Sequence, residues 1–131
     1  MGDQRMADEL QDRLIRFAVA IIGATNRLPR TMAGRHLSSQ MIRSGTSPAP
    51  NYGEARGAES RADFQHKLSI VLKELNETAI WLRIARESHL LDEAVIAPLI
   101  SENDQLSRII TASLRTVRQG GIRSQLPPNE K

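Results

Sequence analysis

Side chains that could perform acid–base, nucleophilic or metal chemistry are few in this sequence and widely spaced. The three histidines lie 30 and 23 residues apart, without HExxH or related ligand spacing: His36, His66 and His89. His66 follows Asp63 by three residues, and we interpret these two as a solvated surface pair. There is no Cys and no GxGxxG, GxxxxGK[ST] or GxSxG motif. We therefore expect no catalysis, no cofactor and no metal site.

One polar ridge does have helical spacing. If the chain is helical there, Arg43, Ser47, Asn51 and Glu54 recur at intervals of four, four and three residues on one face. Arg43 and Glu54 would be about 16 Å apart along the axis, too far to pair directly, so Ser47 and Asn51 would bridge them by hydrogen bonds. The ridge is either a structural seam that fixes helix register or subunit packing, or a small-molecule or metal site. The seam is the favoured interpretation.

Arginine dominates the basic residues and is concentrated in one block. The chain has 18 Lys and Arg residues, of which 15 are Arg, and a net charge of +3. Residues 13–61 sum to +6 and residues 62–104 to −4. Such a pattern fits a phosphate-binding face, and it equally fits charged faces that meet each other or a second subunit.

The elements that must position these residues are helices. Apolar residues recur at helical spacing in four long stretches. The first ends at Leu28-Pro29, and the second starts near Thr31, a candidate N-cap, with a kink or break at Pro48 and Pro50. The third runs from Arg61 to about Ser88, with a core stripe at Phe64, Leu68, Val71, Leu72, Leu75, Ala79 and Leu82. The fourth ends near Gln119. We predict an all-α, antiparallel up-and-down four-helix bundle over residues 1–119 and a flexible tail over 120–131.

The third helix has a second apolar face. With Leu68 at the centre of the core stripe, Ile70, Trp81 and Ile84 are predicted to point away from the core. Large aliphatic and aromatic side chains aligned on an outward face are typical of subunit interfaces. We therefore predict a homo-oligomer that contacts its copies through these three residues.

Composition excludes several classes of protein. Only four residues are aromatic, which argues against a β-sandwich and against modules that stack bases on rings. The longest apolar run, Phe17 to Ala24, is far shorter than the roughly 20 residues of a membrane-spanning helix. We expect a cytoplasmic protein with no membrane partner.

Residues 28–91 contain a characteristic series of residues and motifs: Leu28-Pro29, Gln40, Arg43, Ser47, Pro48, Asn51 and Glu54, then NYGEARGAESRADF and HKLSIVLKELNETAIWL. By these residues the stretch resembles a family of four-helix bundles encoded in intervening sequences of bacterial large-subunit ribosomal RNA genes. The resemblance implies five-fold rings and no established catalysis. Related accessory proteins of diversity-generating retroelements bind nucleic acid and a reverse transcriptase, which implies a nucleic-acid association here too.

Three functional hypotheses remain open. The favoured one is binding of RNA, or DNA, by phosphate contacts from an Arg-rich face, with little base readout. Its candidate residues are Arg27, Arg30, Arg35, Arg43, Arg56 and Arg61, with Arg108, Arg115 and Arg118 as a second set. The alternatives are an oligomeric protein–protein adaptor with no direct nucleic-acid role, and a ligand site at the Arg43–Glu54 ridge.

Overall fold

The computed structural model describes residues 2–120, and the described chain is almost entirely helical. Five helical segments follow one another: α1 (Gly2–Thr25), α2 (Met32–Thr46), α3 (Pro48–Arg56), α4 (Arg61–Glu87) and α5 (Glu93–Arg118). No strand occurs within residues 2–120. Because α2 and α3 follow one path, the segments make four rods packed in the cyclic order α1, α2/α3, α4, α5. This confirms the predicted all-α four-helix bundle. The predicted tail over 120–131 lies, except for Gly120, outside the described residues.

The second rod continues through the two prolines with only a slight bend. Pro48 is the first residue of α3, where a missing N–H is tolerated, and the rod bends by 17° near this residue. Ser47, between α2 and α3, keeps helical backbone angles, and its carbonyl accepts from the Asn51 N–H at 3.2 Å. The predicted kink is therefore mild, and helix resumes at once.

Side chains cap the N-termini of α2 and α4. The Thr31 hydroxyl accepts from the Gly34 N–H at 3.1 Å, and the Ser60 hydroxyl accepts from the Asp63 N–H at 3.1 Å. Each cap satisfies a backbone donor that the first turn leaves unpaired, which contributes about 1 kcal/mol. The predicted cap at Thr31 is confirmed.

The core runs the length of the bundle and consists mainly of Leu, Ile, Val and Ala side chains. Ten large aliphatic side chains are among those with less than 2% exposure: Leu14, Ile21, Met41, Leu68, Leu75, Leu82, Ile96, Leu106, Ile110 and Leu114. Each buried Leu or Ile contributes about 1.5–3 kcal/mol.

The buried face of α4 is rotated relative to the predicted one. Ala79, predicted to lie in the core stripe, is exposed, whereas Thr78 and Ala85 are fully buried. At about 100° per residue, this moves the centre of the core face by roughly 60° toward Trp81. The rotation is possible because the Ser44 hydroxyl lies 2.9 Å from that of Thr78, which also bonds the Glu74 carbonyl at 2.8 Å. Buried polar side chains in folded proteins are hydrogen-bonded, and Thr78 meets this condition.

Candidate nucleic-acid interface

The six candidate arginines divide into two groups. Arg27 and Arg30 lie in the segment that joins α1 to α2, and Arg35 lies in the first turn of α2. All three are exposed, and none forms an ion pair with another described residue. Their guanidinium groups are therefore free to contact a ligand.

Arg43 instead joins α2 to α4. Its guanidinium pairs with the carboxylate of Glu77 and with that of Glu74 at 3.4 Å, and it donates to the Gln40 side-chain oxygen at 3.0 Å. The Trp81 indole N–H donates to the same Glu77 carboxylate at 3.0 Å. These contacts tie Arg43 to its own bundle and occupy its donors.

Arg56 and Arg61 lie at the opposite end of the bundle from Arg27. Arg56 pairs with Asp8 of α1 at 2.6 Å, which closes the α1–α3 contact. Arg61 is the first residue of α4 and is exposed, but it is not without a partner. The predicted six-residue surface is therefore not continuous.

The second set of arginines is also divided. Arg108 pairs with Asp104 one turn earlier in α5 at 3.1 Å, and both side chains are largely exposed. Arg115 and Arg118 lie in the last turn of α5, exposed and without an ion pair to another described residue. They belong to the same end of the bundle as Arg56.

Arg27 borders a shallow depression at its end of the bundle. The depression has a volume of about 320 Å³ and is lined by Arg27, by Leu90, Leu91 and Asp92 of the turn between α4 and α5, and by Val95 of α5. The turn is shaped by His89, whose φ of 56° is left-handed. We define Arg27, Arg30 and Arg35 as the free-arginine end of the bundle.

The four residues of the polar ridge bond within the fold but do not form one connected chain. The Asn51 amide donates to the Ser47 hydroxyl at 2.9 Å and to its carbonyl at 3.0 Å, but this pair does not reach Arg43 or Glu54. Glu54 accepts from the Lys67 ammonium at 2.7 Å, and this bond raises the pKa of Lys67. The ridge therefore ties α2 and α3 to α4 at its two ends. Within residues 2–120, no group of three or more His, Asp or Glu side chains could hold a metal ion.

The three predicted interface residues are not equally exposed. Ile84 is 42% exposed, whereas Ile70 and Trp81 are half-buried. The prediction that Trp81 points away from the core is wrong: its indole packs against the core, and its ring centre lies 5.7 Å from that of His36 in an edge-on arrangement. Because the buried face of α4 is rotated relative to the predicted one, Trp81 lies at the edge of that face.

The sequence interpretation missed a more exposed set of aliphatic residues. Ile15, Val19 and Ile22 of α1 are 47%, 63% and 46% exposed, and Ile80 of α4 is 58% exposed. The spacing of four and three residues from Ile15 to Ile22 was the available signal, because it places a second apolar face roughly 120° around the helix from Leu14 and Ile21.

The fold and these surfaces define an all-α bundle that has exposed arginines at both ends, Arg27, Arg30 and Arg35 at one and Arg115 and Arg118 at the other, and shows no metal-binding cluster over residues 2–120. Residues 9–112 match the 23S rRNA-intervening sequence protein family, and the chain belongs to this family. It is also similar to the crystal structure of a protein of unknown function from the S23 ribosomal protein family of Bacteroides thetaiotaomicron. The two chains are 31% identical with a TM-score of 0.78, over 84% of this chain and 98% of the other. No curated protein matches this chain. None of the helices within residues 2–120 is long and apolar enough to cross a membrane.

Proposed function

We propose that this protein is a non-enzymatic, self-associating bundle that binds RNA through phosphate contacts from its free-arginine end. One observation carries the proposal: of the six candidate arginines, Arg27, Arg30 and Arg35 are exposed, lie at one end, and have no carboxylate partner within residues 2–120. The name of the family, which links it to ribosomal RNA genes, supports RNA as the nucleic acid and the cytoplasm as the location.

The physical basis is release of counterions from the RNA backbone. A guanidinium already paired with a carboxylate must break that pair before it binds a phosphate, whereas a free one need not. Each phosphate neutralised on a single strand releases about 0.7 counterions, so three free arginines per subunit give affinity that depends steeply on salt. Self-association would multiply these contacts, because every further subunit binds the same RNA intramolecularly.

The test is simultaneous replacement of Arg27, Arg30 and Arg35 by Ala. We expect RNA affinity, measured by fluorescence anisotropy at low salt, to fall at least tenfold. The matched control replaces Arg5, Lys67 and Arg108 by Ala, which removes the same charge from cations that already pair with Glu9, Glu54 and Asp104. Equal losses in the two variants would show that net charge and not this end of the bundle binds RNA.

A protein–protein adaptor is the second candidate, because exposed aliphatic residues such as Val19 and Ile80 are unusual for a surface that binds only RNA. Recovery of the same protein partner before and after nuclease treatment, by a chain that shows no RNA binding, would favour the adaptor.

A further inference from the structure

The depression beside Arg27 combines two opposite charges with three aliphatic side chains. Arg27 and Asp92 line it together with Leu90, Leu91 and Val95. Leu91 is buried and Leu90 and Val95 are half-buried, whereas Arg27 and Asp92 are exposed, so a ligand would meet the two charged groups first. The volume of about 320 Å³ is at the lower end of the range for ligand pockets, which suits a single heterocyclic group.

Neither of these two charges is neutralised within the part of the chain that the structure describes. Arg27 and Asp92 form no ion pair with each other or with another residue of 2–120, and the Asp92 carboxylate makes no hydrogen bond to the first turn of α5. Arg86, on the α4 side of the turn, is paired with Glu93 instead, at 2.6 Å. Arg27 therefore offers free N–H donors, and Asp92 offers two free carboxylate oxygens.

The turn that carries Asp92 is held in place by backbone hydrogen bonds. The Leu90 N–H donates to the Ala85 carbonyl at 3.1 Å, and the Asp92 carbonyl accepts from the N–H groups of Val95 and Ile96 at 2.9 and 3.0 Å. These bonds fix the backbone on this side of the depression before a ligand arrives. Binding there would therefore cost little ordering of the chain.

A nucleotide of single-stranded RNA has the chemistry that these two charges require. Its phosphate is an anion for Arg27, and the edge of its base can carry N–H donors for Asp92. An ionised carboxylate only accepts hydrogen bonds, so it favours a base with two adjacent donors. Guanine alone has them, at N1 and at its exocyclic amino group, whereas adenine, cytosine and uracil place an acceptor beside each donor.

We propose that this depression binds one unstacked guanine base of single-stranded RNA. The Asp92 carboxylate accepts from N1–H and from the exocyclic amino group, and Arg27 binds a phosphate of the same strand. Arg30 and Arg35, at the same end of the bundle, contact flanking phosphates. The proposal rests on the RNA binding of the proposed function and adds to it the readout of one base. A free guanine nucleotide presents the same edge but lacks the flanking phosphates.

The test compares short labelled oligouridines that carry guanosine, inosine or uridine at the central position, by fluorescence anisotropy at low salt. We expect the guanosine oligomer to bind at least about fivefold more tightly than the all-uridine one, because a good bidentate contact discriminates by that factor or more. Inosine keeps N1–H but lacks the exocyclic amino group, so the inosine oligomer should lose most of this preference.

Asp92→Asn tests whether the carboxylate reads the base. Asn replaces one acceptor by a donor and is an equally good N-cap residue, so the bundle should stay folded, as checked by circular dichroism. The ratio of guanosine to inosine affinity should fall to less than about twofold in this variant, and the change in that ratio measures the contact as a double-mutant cycle. Affinity for the all-uridine oligomer should stay the same or rise, because a negative charge is removed.

Asp12→Asn is the matched control. It removes the same charge from an exposed carboxylate of α1 that has no ion pair with another described residue. Asp12 lies about 20 Å along α1 from Thr25, where this helix ends near the depression, so the variant should keep the preference for guanosine.

Three results would contradict the guanine site. Equal affinities of the wild-type chain for the three oligomers, or a preference that survives Asp92→Asn, would overturn it and leave phosphate binding intact. Competition by guanosine monophosphate at the same concentration as the guanosine oligomer would overturn RNA as the source of the base. Failure of the wild-type chain to bind any oligomer would overturn the proposed function together with this site.

Discussion

Tyr52 is the only tyrosine of the chain and reports on the packing of α3. Burial raises the pKa of its hydroxyl above the usual 10.0, Asp8 raises it further, and Arg56 lowers it. Since the folded-state pKa is the higher one, the stability from the neutral hydroxyl is fully present below about pH 10. It is lost as pH rises through the folded-state pKa. We expect the tyrosinate absorbance to titrate at higher pH in the folded chain than in urea.

Tyr52→Phe is the control for this titration. It should abolish the tyrosinate signal and weaken the decline in unfolding free energy above pH 10, measured by urea denaturation. Identical midpoints of the tyrosinate titration in the folded and the unfolded chain would contradict the burial of Tyr52 in the structure.

Asn103 is a buried polar residue with one unused acceptor. Its amide nitrogen donates to the Leu75 carbonyl at 3.0 Å, but its side-chain oxygen has no hydrogen-bond partner and the residue is only 2% exposed. An unpaired buried acceptor costs about 1–3 kcal/mol. We expect Asn103→Leu to raise the free energy of unfolding by about 1 kcal/mol in urea denaturation. Asn103→Asp should lower the free energy of unfolding, because this substitution buries a carboxylate. A variant with Asp at position 103 that is more stable than the wild type, while the variant with Leu is not, would contradict this prediction.

Which arginines are free could not be predicted from the sequence. Spacing placed Arg43 and Arg56 correctly on helices, but their partners, Glu77 and Asp8, lie 34 and 48 residues away. Ion pairs between rods depend on how the rods rotate and meet, which local spacing does not encode. Arg27, Arg30 and Arg35 were in the predicted set, and only the fold separates them from the others.

At the scale of helices, two glycines of α2 allow close packing, Gly34 against the segment that joins α1 to α2 and Gly45 against α1 itself. A Cβ at Gly34 would lie 1.9 Å from the Pro29 carbonyl oxygen, and one at Gly45 would lie 2.8 Å from Ile21. Ala is intrinsically better in a helix by about 1 kcal/mol, yet overpacking of this kind costs about 1–3 kcal/mol. We expect Gly34→Ala to lower the free energy of unfolding by about 2 kcal/mol, because backbone must move.

Gly53→Ala is the matched control, since the added Cβ would meet only the Gln11 side-chain oxygen at 3.4 Å. It should be neutral or stabilising by up to about 1 kcal/mol in the same thermal or urea unfolding experiment. Equal changes in the free energy of unfolding at positions 34 and 53 would mean that helix propensity, and not the close contact of Gly34 with Pro29, determines the effect.

Helix boundaries were the most predictable feature, because they depend on neighbouring residues. The third predicted helix, from Arg61 to about Ser88, is α4 of the structure and spans Arg61–Glu87. Its start was predictable because Ser60 caps it locally. The buried face of the same helix was less predictable, because Thr78 becomes a core residue only through its contact with Ser44 of another rod. That rotation also explains why Trp81 was assigned to the wrong side.

At the scale of the whole molecule, ion pairs between the rods contrast with the exposed arginines of the free-arginine end. Several charges along the sides of the bundle are paired internally: Arg13 of α1 makes a two-point contact with Glu102 of α5, at 2.7 and 3.0 Å, and this hydrogen bond raises the pKa of Arg13. Pairs of this kind hold the rods together and leave the free arginines as the accessible positive charge at their end.

The most direct measurement is the dependence of RNA affinity on salt concentration. For the wild-type chain we predict a straight line in a plot of log affinity against log salt. Replacing Arg27, Arg30 and Arg35 by Ala should reduce the magnitude of the slope by at least about 2, because each of the three lost phosphate contacts contributes about 0.7 to it. The variant lacking Arg5, Lys67 and Arg108 should keep the wild-type slope. A wild-type affinity that is independent of salt, or a slope unchanged in the first variant, would contradict the central claim.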